Sequence, residues 1–140
     1  MNDRTIKNLN ECDARLTAIA QRAEANGAKF VVICGKRGKI DQDDAVRRGA
    51  SKTPFPRSRH NPTPSRAFDF VPGDGKTIDW NNAPAFAAVG ASLKAAAAEL
   101  GIAVEYGGDW KSFRDYPHFQ LSDDEKWLNG QTCGLDDEPR

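Results

Sequence analysis

The stretch "IAVEYGGDWKSFRDYPHFQL", residues 102–121, contains two predicted strands that follow each other closely. "IAVEY" (102–106) and "PHFQL" (117–121) are short segments of the apolar, β-branched and aromatic residues that strands favour. Residues 107–116 between them are too few for the crossover of about a dozen residues or more that joins parallel strands. The two strands are therefore expected to be antiparallel. This favours an α+β fold, with a small, mainly antiparallel sheet flanked by helices.

Two longer segments show helical periodicity. Apolar residues recur at intervals of three or four over residues 4–25 and again over residues 84–100, which predicts two amphipathic helices. Each segment is followed closely by a glycine, at positions 27 and 101, where a helix commonly ends. The polar segment between them predicts one further short helix over about residues 41–48.

Two apolar runs predict the remaining strands. "KFVVICG", residues 29–35, is short and β-branched, which is typical of a buried strand. "RAFDFVP", residues 66–72, alternates, so Phe68 and Phe70 should share one face while Asp69 lies on the other. Because an unpaired carboxylate is costly to bury, Asp69 is expected to have a cation, hydrogen-bond donors or solvent beside it.

A proline-rich loop and a polar tail complete the chain. Four of the eight prolines lie within residues 51–66, so this segment is predicted to be a long loop rather than a helix. The chain shows no internal repeat and no linker to a second module, and residues 1–140 are predicted to form one domain. The tail from about residue 122 is expected to be loose, at least over its last residues.

Charge and hydropathy exclude several classes of protein. Twenty basic residues balance twenty acidic ones, so the chain lacks the basic excess expected of a nucleic-acid-binding protein. No apolar run approaches the roughly 20 residues that span a bilayer, and the N-terminal residues lack the apolar core of a secretory signal. The protein is therefore expected in the cytoplasm of the producing cell, without membrane insertion. Three widely spaced cysteines do not predict a disulfide framework.

The two histidines of the chain both lie near aspartates. Neutral imidazoles and carboxylates are common ligands of catalytic metal ions, which usually keep three protein ligands and one open position. His60, Asp69 and His118 are therefore candidate ligands. Asp115, three residues before His118, is a candidate proton acceptor, because a carboxylate beside a metal-bound water can take its proton.

Taken one at a time, these residues have simpler explanations. A lone histidine is more often a solvated or hydrogen-bonded ring than a ligand. Asp69 could bind a backbone amide or an arginine, and Asp115 could be a turn residue. The residue types also do not separate zinc from iron, since two histidines and one carboxylate form the site of non-haem iron oxygenases. In those enzymes, however, the first histidine and the carboxylate usually lie two positions apart, whereas His60 and Asp69 lie nine apart.

Four motifs occur in an order that resembles one enzyme family. They are "SRH", "SRAFDFVP", "YGGDW" and "DYPHFQL", and the resemblance extends over about residues 30–121. The set is similar to the zinc peptidases of the D-alanyl-D-alanine carboxypeptidase type. Within these it most resembles the L-alanyl-D-glutamate endopeptidases of bacteriophage endolysins and bacterial wall hydrolases. The resemblance implies the small α+β fold of the hedgehog and D-Ala-D-Ala peptidases.

The resemblance also implies a role for each matched residue. His60, Asp69 and His118 would hold one catalytic Zn²⁺, and the nearby Asp115 would act as general base and acid. Arg37 would stabilise the oxyanion or bind a substrate carboxylate, tasks that suit its planar, permanently charged group. The alternative for Arg37 is a solvated surface arginine. The remaining residues would bind substrate or support the site: Ser58, Gln42, Tyr106 and Trp110.

The sequence departs from the family pattern at three places. The spacer between the first histidine and the aspartate is usually seven positions, whereas Asp69 follows His60 by nine. The usual glycine before the Arg-Ala pair is Ser65, and the usual first tryptophan of "WGGDW" is Tyr106. The longer spacer is expected either to bulge away from the ligands or to reshape the cleft.

The implied function is zinc-dependent hydrolysis of the L-alanyl-D-glutamate bond in the stem peptide of peptidoglycan. Two alternatives stay open on the sequence alone. One is a D-alanyl-D-alanine carboxypeptidase that trims the end of the same stem, and the other is a non-catalytic wall-binding module that contains zinc. The protein is expected to act as a monomer on the wall after release from the producing cell.

Overall fold

The structure is a computed structural model, which describes residues 1–53, 55, 57–112 and 114–122. Helices and strands in this part of the chain follow the predicted order, with one difference near the N-terminus. Their bounds are α1 Asp3–Leu9, α2 Ala14–Ala25, β1 Phe30–Cys34, α3 Lys39–Arg47, β2 Ala67–Pro72, α4 Ala83–Leu100, β3 Val104–Tyr106 and β4 His118–Leu121, with a single 3₁₀ turn at Gly107–Asp109.

The four strands form one sheet in the order β1-β2-β4-β3. Each neighbouring pair is antiparallel, including the pair of β3 and β4 that the short connection predicted. The α+β fold class is therefore confirmed. The order also places the last strand beside β2, so that Asp69 and His118 lie directly opposite each other.

The predicted single helix over residues 4–25 is wrong, because the chain leaves the helix between α1 and α2. The backbone amide of Ser65 donates to the carbonyl of Glu11, and the amide of Asp13 donates to the carbonyl of Ser65, both at 2.8 Å. Asp13 then starts α2 by accepting from the amide of Arg15 at 2.9 Å. Apolar side chains before and after the break enter the same core, which explains why the periodicity did not reveal it.

The hydrophobic core lies against one face of the sheet, and strand alternation determines which side chains enter it. Phe68, Phe70 and Phe119 are completely buried there, and α4 packs on β2 and β3 while α2 packs on α4. Asp69 and His118 alternate with these aromatic residues and therefore lie on the opposite face. The helices thus leave the second face of β2 and β4 available for a polar site.

No helix in the described part of the chain is long and apolar enough to cross a membrane. The described cysteines, Cys12 and Cys34, are free thiols. The third, Cys133, lies outside the described residues.

Candidate metal centre and cleft

Three predicted ligands converge at one end of the sheet. Asp69 of β2 and His118 of β4 are paired across the ladder, and His60 reaches them from the loop that precedes β2. His60 Nε2 lies 3.2 Å and His118 Nδ1 lies 3.4 Å from Asp69 Oδ1. The two ring nitrogens are 3.2 Å apart. All three side chains are at least partly buried, so these atoms form a compact triangle shielded from bulk water.

The outer hydrogen bonds assign the tautomer of each ring. His60 Nδ1 lies 2.8 Å from the carbonyl oxygen of Gly35, which can only accept, so Nδ1 carries the proton. His118 Nε2 lies 2.7 Å from Gln120 Oε1, which accepts in the same way. In the neutral rings, the two inner nitrogens therefore present lone pairs to each other and to Asp69 Oδ1. That buried oxygen has no hydrogen bond of acceptable geometry among the described residues.

Three lone pairs that face one point repel one another unless a cation lies between them, which is the arrangement of a metal site. A tetrahedral ion with metal–ligand distances of about 2.0–2.1 Å separates neighbouring ligand atoms by about 3.3 Å. The observed separations are 3.2, 3.2 and 3.4 Å. The donor set therefore fits a bound metal ion without rearrangement.

Charges in the metal-free cluster are strongly coupled. Burial lowers the pKa of His60. Burial also opposes the charged form of His118, but once protonated this ring can donate to Asp69, and that interaction outweighs burial and raises the pKa of the ring. For Asp69, burial would raise the pKa, yet attraction to His60 and donation from the protonated form of His118 hold it well below its usual range. Asp69 is thus an anion, as a metal ligand must be.

Asp115 lines the same cleft as the triangle. Its amide donates to the carbonyl of Gly107 and its carbonyl accepts from the amide of His118, both at 3.0 Å, so the turn that positions the carboxylate also positions the ligand. Burial and the negative charge of Asp69 raise the pKa of Asp115 to about 6. A carboxyl group with a pKa near the working pH can both accept and return a proton.

Gly107 supports this turn because it has no side chain. A Cβ atom there would overlap the Asp115 carbonyl oxygen and contact the Cβ atoms of Asp115 and His118. We expect Gly107→Ala to lower the free energy of unfolding by about 1–3 kcal/mol, as overpacking typically does, and to reduce turnover by displacing the carboxylate. Denaturant unfolding and peptide hydrolysis measure the two effects. Gly38→Ala is the control, since a Cβ there meets nothing within 4 Å; equal behaviour of both variants would contradict the prediction.

Arg37 is held beside the triangle rather than in solvent. Its Nη2 donates to Asp69 Oδ2 at 3.3 Å and its Nη1 donates to Gln42 Oε1 at 3.0 Å. Its backbone amide donates to the carbonyl of His60 at 2.8 Å. The guanidinium also lines the cleft, so a fixed positive charge faces the space beside the candidate metal site.

Gln42 lies behind the cleft, where it can support the site but cannot contact substrate. Gln42 is fully buried in α3 and does not line the cleft. Its Nε2 donates to Ser51 Oγ at 2.9 Å and to the carbonyl of Thr53 at 2.6 Å. Its Oε1 accepts from Arg37 and, at 3.2 Å, from Asn61 Nδ2. Gln42 therefore positions Arg37 and anchors the loop that forms one wall of the cleft.

Replacing this buried amide should be costly. We expect Gln42→Leu, which keeps a similar volume, to lower the free energy of unfolding by about 1–3 kcal/mol, because buried donors and acceptors lose their partners. Peptidase activity should fall as well, because Arg37 loses one of its two side-chain partners. Urea unfolding checks the first effect. The exposed Gln21→Leu on α2 should change stability by less than about 0.5 kcal/mol; a similar loss in both variants would argue against the network.

The three other residues that were predicted to bind substrate differ in their positions relative to the cleft. Ser58 lines the cleft, and its Oγ accepts from the amide of His60 at 3.1 Å. Trp110 also lines the cleft, with its ring centroid 5.3 Å from that of His118. Tyr106, by contrast, is only 3% exposed and does not line the cleft. Its side chain turns into the core and packs on Gly90 and Gly108, so Tyr106 does not contribute to the cleft lining, as the predicted binding of substrate would require.

The longer spacer between the first two ligands is accommodated at the surface. The amide of Arg66 donates to the carbonyl of Arg59 at 2.9 Å and closes the base of the loop. Ser65 is fully buried, and its Oγ donates to the carbonyl of Ala67 at 2.7 Å. Residues 62–64 project outward as the tip of the loop. The additional residues therefore leave His60 and Asp69 within contact distance.

Two residues of the site were missed by sequence reasoning. Gln120 accepts from His118 and is two positions along the same strand, so strand alternation could have placed it on the same face. Trp80 lines the cleft and is 56% exposed. It lies in a turn-rich segment with no apolar pattern, and its only signal was a large aromatic residue where the neighbouring residues are polar.

Known proteins with similar sequences and folds carry the same activity in their names. The family described as phage L-alanyl-D-glutamate peptidase matches residues 1–129. The L-alanyl-D-glutamate peptidase of Listeria phage A118 is 36% identical over 124 residues, which cover 85% of this chain and 41% of the relative. The chain thus spans less than half the length of that relative. The L-alanyl-D-glutamate peptidase of Escherichia phage T5 is 33% identical over 112 residues, which cover 79% of this chain and 80% of the relative.

A solved structure extends the similarity to the fold. The crystal structure of Serratia marcescens L-Ala D-Glu endopeptidase ChiX matches with a TM-score of 0.75 and 33% sequence identity. The match covers 87% of this chain and 89% of that chain. With the family match over residues 1–129, the chain belongs to the phage L-alanyl-D-glutamate peptidase family.

Proposed function

We propose that the protein is a zinc-dependent endopeptidase that hydrolyses the L-alanyl-D-glutamate bond of the peptidoglycan stem peptide. The observation that carries this proposal is the convergence of three donor atoms that suit a metal ion, together with the partly buried carboxyl group of Asp115, in one cleft of about 390 Å³. The choice of bond rests on the relatives, since the proteins of phages A118 and T5 and of Serratia are named for it.

His60, Asp69 and His118 would hold the zinc ion. Two imidazole nitrogens and one carboxylate oxygen are a usual donor set for catalytic zinc, and membership in a peptidase family favours zinc over the redox chemistry of iron. Bound Zn²⁺ would supply Lewis-acid polarisation of the scissile carbonyl and would acidify a water molecule. The outer hydrogen bonds from the two rings keep both inner nitrogens available for the ion.

Asp115 would transfer the proton. In its ionised form it accepts a proton from the attacking water, and in its protonated form it returns that proton to the leaving amine. The pKa of about 6 supports both steps near neutral pH. Its backbone bonds to Gly107 and His118 fix the turn that carries the carboxyl group.

Arg37 would stabilise negative charge on the substrate. Its guanidinium is positioned before substrate arrives, because Gln42 and Asp69 each accept one of its hydrogen bonds. Donors fixed in this way stabilise a developing oxyanion without reorganisation during the reaction. Arg37 also balances the charge of Asp69 when the cleft is empty of substrate.

The same proposal extends to where the protein works. The substrate is the wall peptide, and the protein reaches the wall after release from the producing cell, as a monomer. The cleft itself supplies recognition through its polar and aromatic lining, which includes Ser58 and Trp110.

A digest of defined wall peptides tests the proposal. Zinc-loaded protein should convert an N-acetylated L-Ala-D-Glu-containing stem peptide into acetyl-alanine and a fragment that begins with D-glutamate, both identified by mass spectrometry. Release of terminal D-alanine alone would instead indicate a carboxypeptidase. Zinc binding without any cleavage would indicate a wall-binding module and contradict the proposed peptidase.

A further inference from the structure

Trp80 presents an exposed aromatic surface at the cleft. Its side chain is 56% exposed, although large hydrophobic residues elsewhere in the described part of the chain are mostly buried. The indole ring stacks on Phe86, with centroids 5.9 Å apart and an interplanar angle of 23°. Phe86 is itself buried in α4. One side of the indole thus rests on the core, while the residue lines the cleft.

The loop around Trp80 is ordered by its own hydrogen bonds. The amide of Asn81 donates to Asp79 Oδ1, and the amide of Asn82 donates to the carbonyl of Asp79, both at 3.1 Å. Asn82 then caps α4 by accepting from the amide of Ala85 at 3.2 Å. The indole is therefore held in a preformed position, which reduces the entropy that binding would cost.

Charge differs between the segments that line the cleft. Among the described residues, the segment from 48 to 60 contributes Arg48, Lys52 and Arg59, whereas the Trp80 loop contributes no charged side chain. Basic side chains suit the carboxylates of a stem peptide. The Trp80 surface suits a neutral group with a flat apolar face, and the small or charged side chains of the stem peptide offer no such face.

We propose that Trp80 forms a subsite for the neutral, N-acetylated amino sugar that carries the stem peptide on the N-terminal side of its L-alanine. This inference rests on the proposed function, because that bond fixes which part of the wall lies near the cleft. The C–H face of a sugar ring stacks on an indole, and polar groups at the ring edge stay hydrated. The alanine and the acid that links it to the sugar span about 7 Å, and Trp80 lines the same cleft as the three candidate metal ligands.

A pair of substrates that differ only in the sugar tests the subsite. The probes are N-acetylmuramoyl-L-Ala-D-Glu and N-acetyl-L-Ala-D-Glu, each measured for kcat/KM with zinc-loaded protein. Wild type should prefer the first probe. Trp80→Ala should lower the ratio of kcat/KM values, muramoyl over acetyl, by about fivefold to tenfold, mainly through KM, as expected for loss of one ring-stacking contact. Trp80→Phe should restore most of the ratio.

The control is Ile40→Ala, which removes an exposed apolar side chain, 83% exposed, that does not line the cleft. Its ratio should equal that of wild type. An unchanged ratio in Trp80→Ala, or an equal fall with both probes, would overturn the subsite while leaving the peptidase proposal in place. Absence of cleavage of both probes by wild type would overturn the peptidase proposal and the subsite with it.

Discussion

Asp115→Asn is expected to lower kcat for stem-peptide hydrolysis by roughly 10²–10⁴-fold, the usual contribution of a general acid–base group, while zinc stays bound. The substituted amide has the same shape and can keep the backbone bonds to Gly107 and His118. It cannot accept a proton from water at neutral pH, so proton transfer to and from the reacting groups is lost.

The measurement pairs steady-state kinetics with zinc analysis of the same samples. Asp109→Asn is the matched control, because Asp109 lies in the neighbouring 3₁₀ turn, is exposed, and pairs with Lys94 outside the cleft. It should retain wild-type kcat. Near-normal turnover in Asp115→Asn would remove this residue from the mechanism, and loss of zinc in that variant would assign it to metal binding instead.

Asp69→Asn is expected to weaken zinc binding by more than roughly 100-fold and therefore to abolish hydrolysis. This loss exceeds the loss of affinity that follows when a hydrogen-bond partner of a ligand is removed. The carboxylate oxygen is the atom shared by both histidine contacts, at 3.2 and 3.4 Å. A neutral amide oxygen is a much weaker ligand. Arg37 would also lose the charge that it pairs with.

Gln120→Ala is the comparison variant for Asp69→Asn, and a smaller loss of zinc affinity is expected for it. Gln120 contacts the outer nitrogen of His118, at 2.7 Å, and not a predicted ligand atom, so its removal should weaken zinc binding by about 10–100-fold. Competition with a chelator of known affinity measures both variants. Wild-type affinity in Asp69→Asn would exclude Asp69 as a ligand, whatever the activity of the variant.

The parts of the fold that sequence reasoning predicted depend on local pattern. Strand alternation predicted that Asp69 lies on the face of the sheet opposite Phe68 and Phe70. The short connection before "PHFQL" predicted that β3 and β4 are antiparallel, and the structure has both features. These features depend on period and chain length, which a sequence displays directly. The proximity of Asp69 and His118 could be predicted only from the resemblance of the ordered motifs to the peptidase family.

The features that were missed depend on contacts between distant residues. The break between α1 and α2 is produced by backbone pairing with Ser65, which no local pattern reports. Tyr106 and Gln42 were expected near substrate, but the packing of α4 and the polar partners around α3 bury them. Trp80 enters the cleft only because α4 brings the preceding loop to it. Such tertiary contacts override the single-residue tendencies from which those expectations came.

Zinc titration of metal-free protein against stem-peptide cleavage tests the metal-dependent mechanism most directly. Chelated and dialysed protein should show no cleavage of the N-acetylated L-Ala-D-Glu substrate. Activity should rise linearly with added zinc and reach a plateau at one equivalent per chain, as one site built from His60, Asp69 and His118 requires. Full activity in the metal-free protein, or no cleavage at any zinc concentration, would contradict the account.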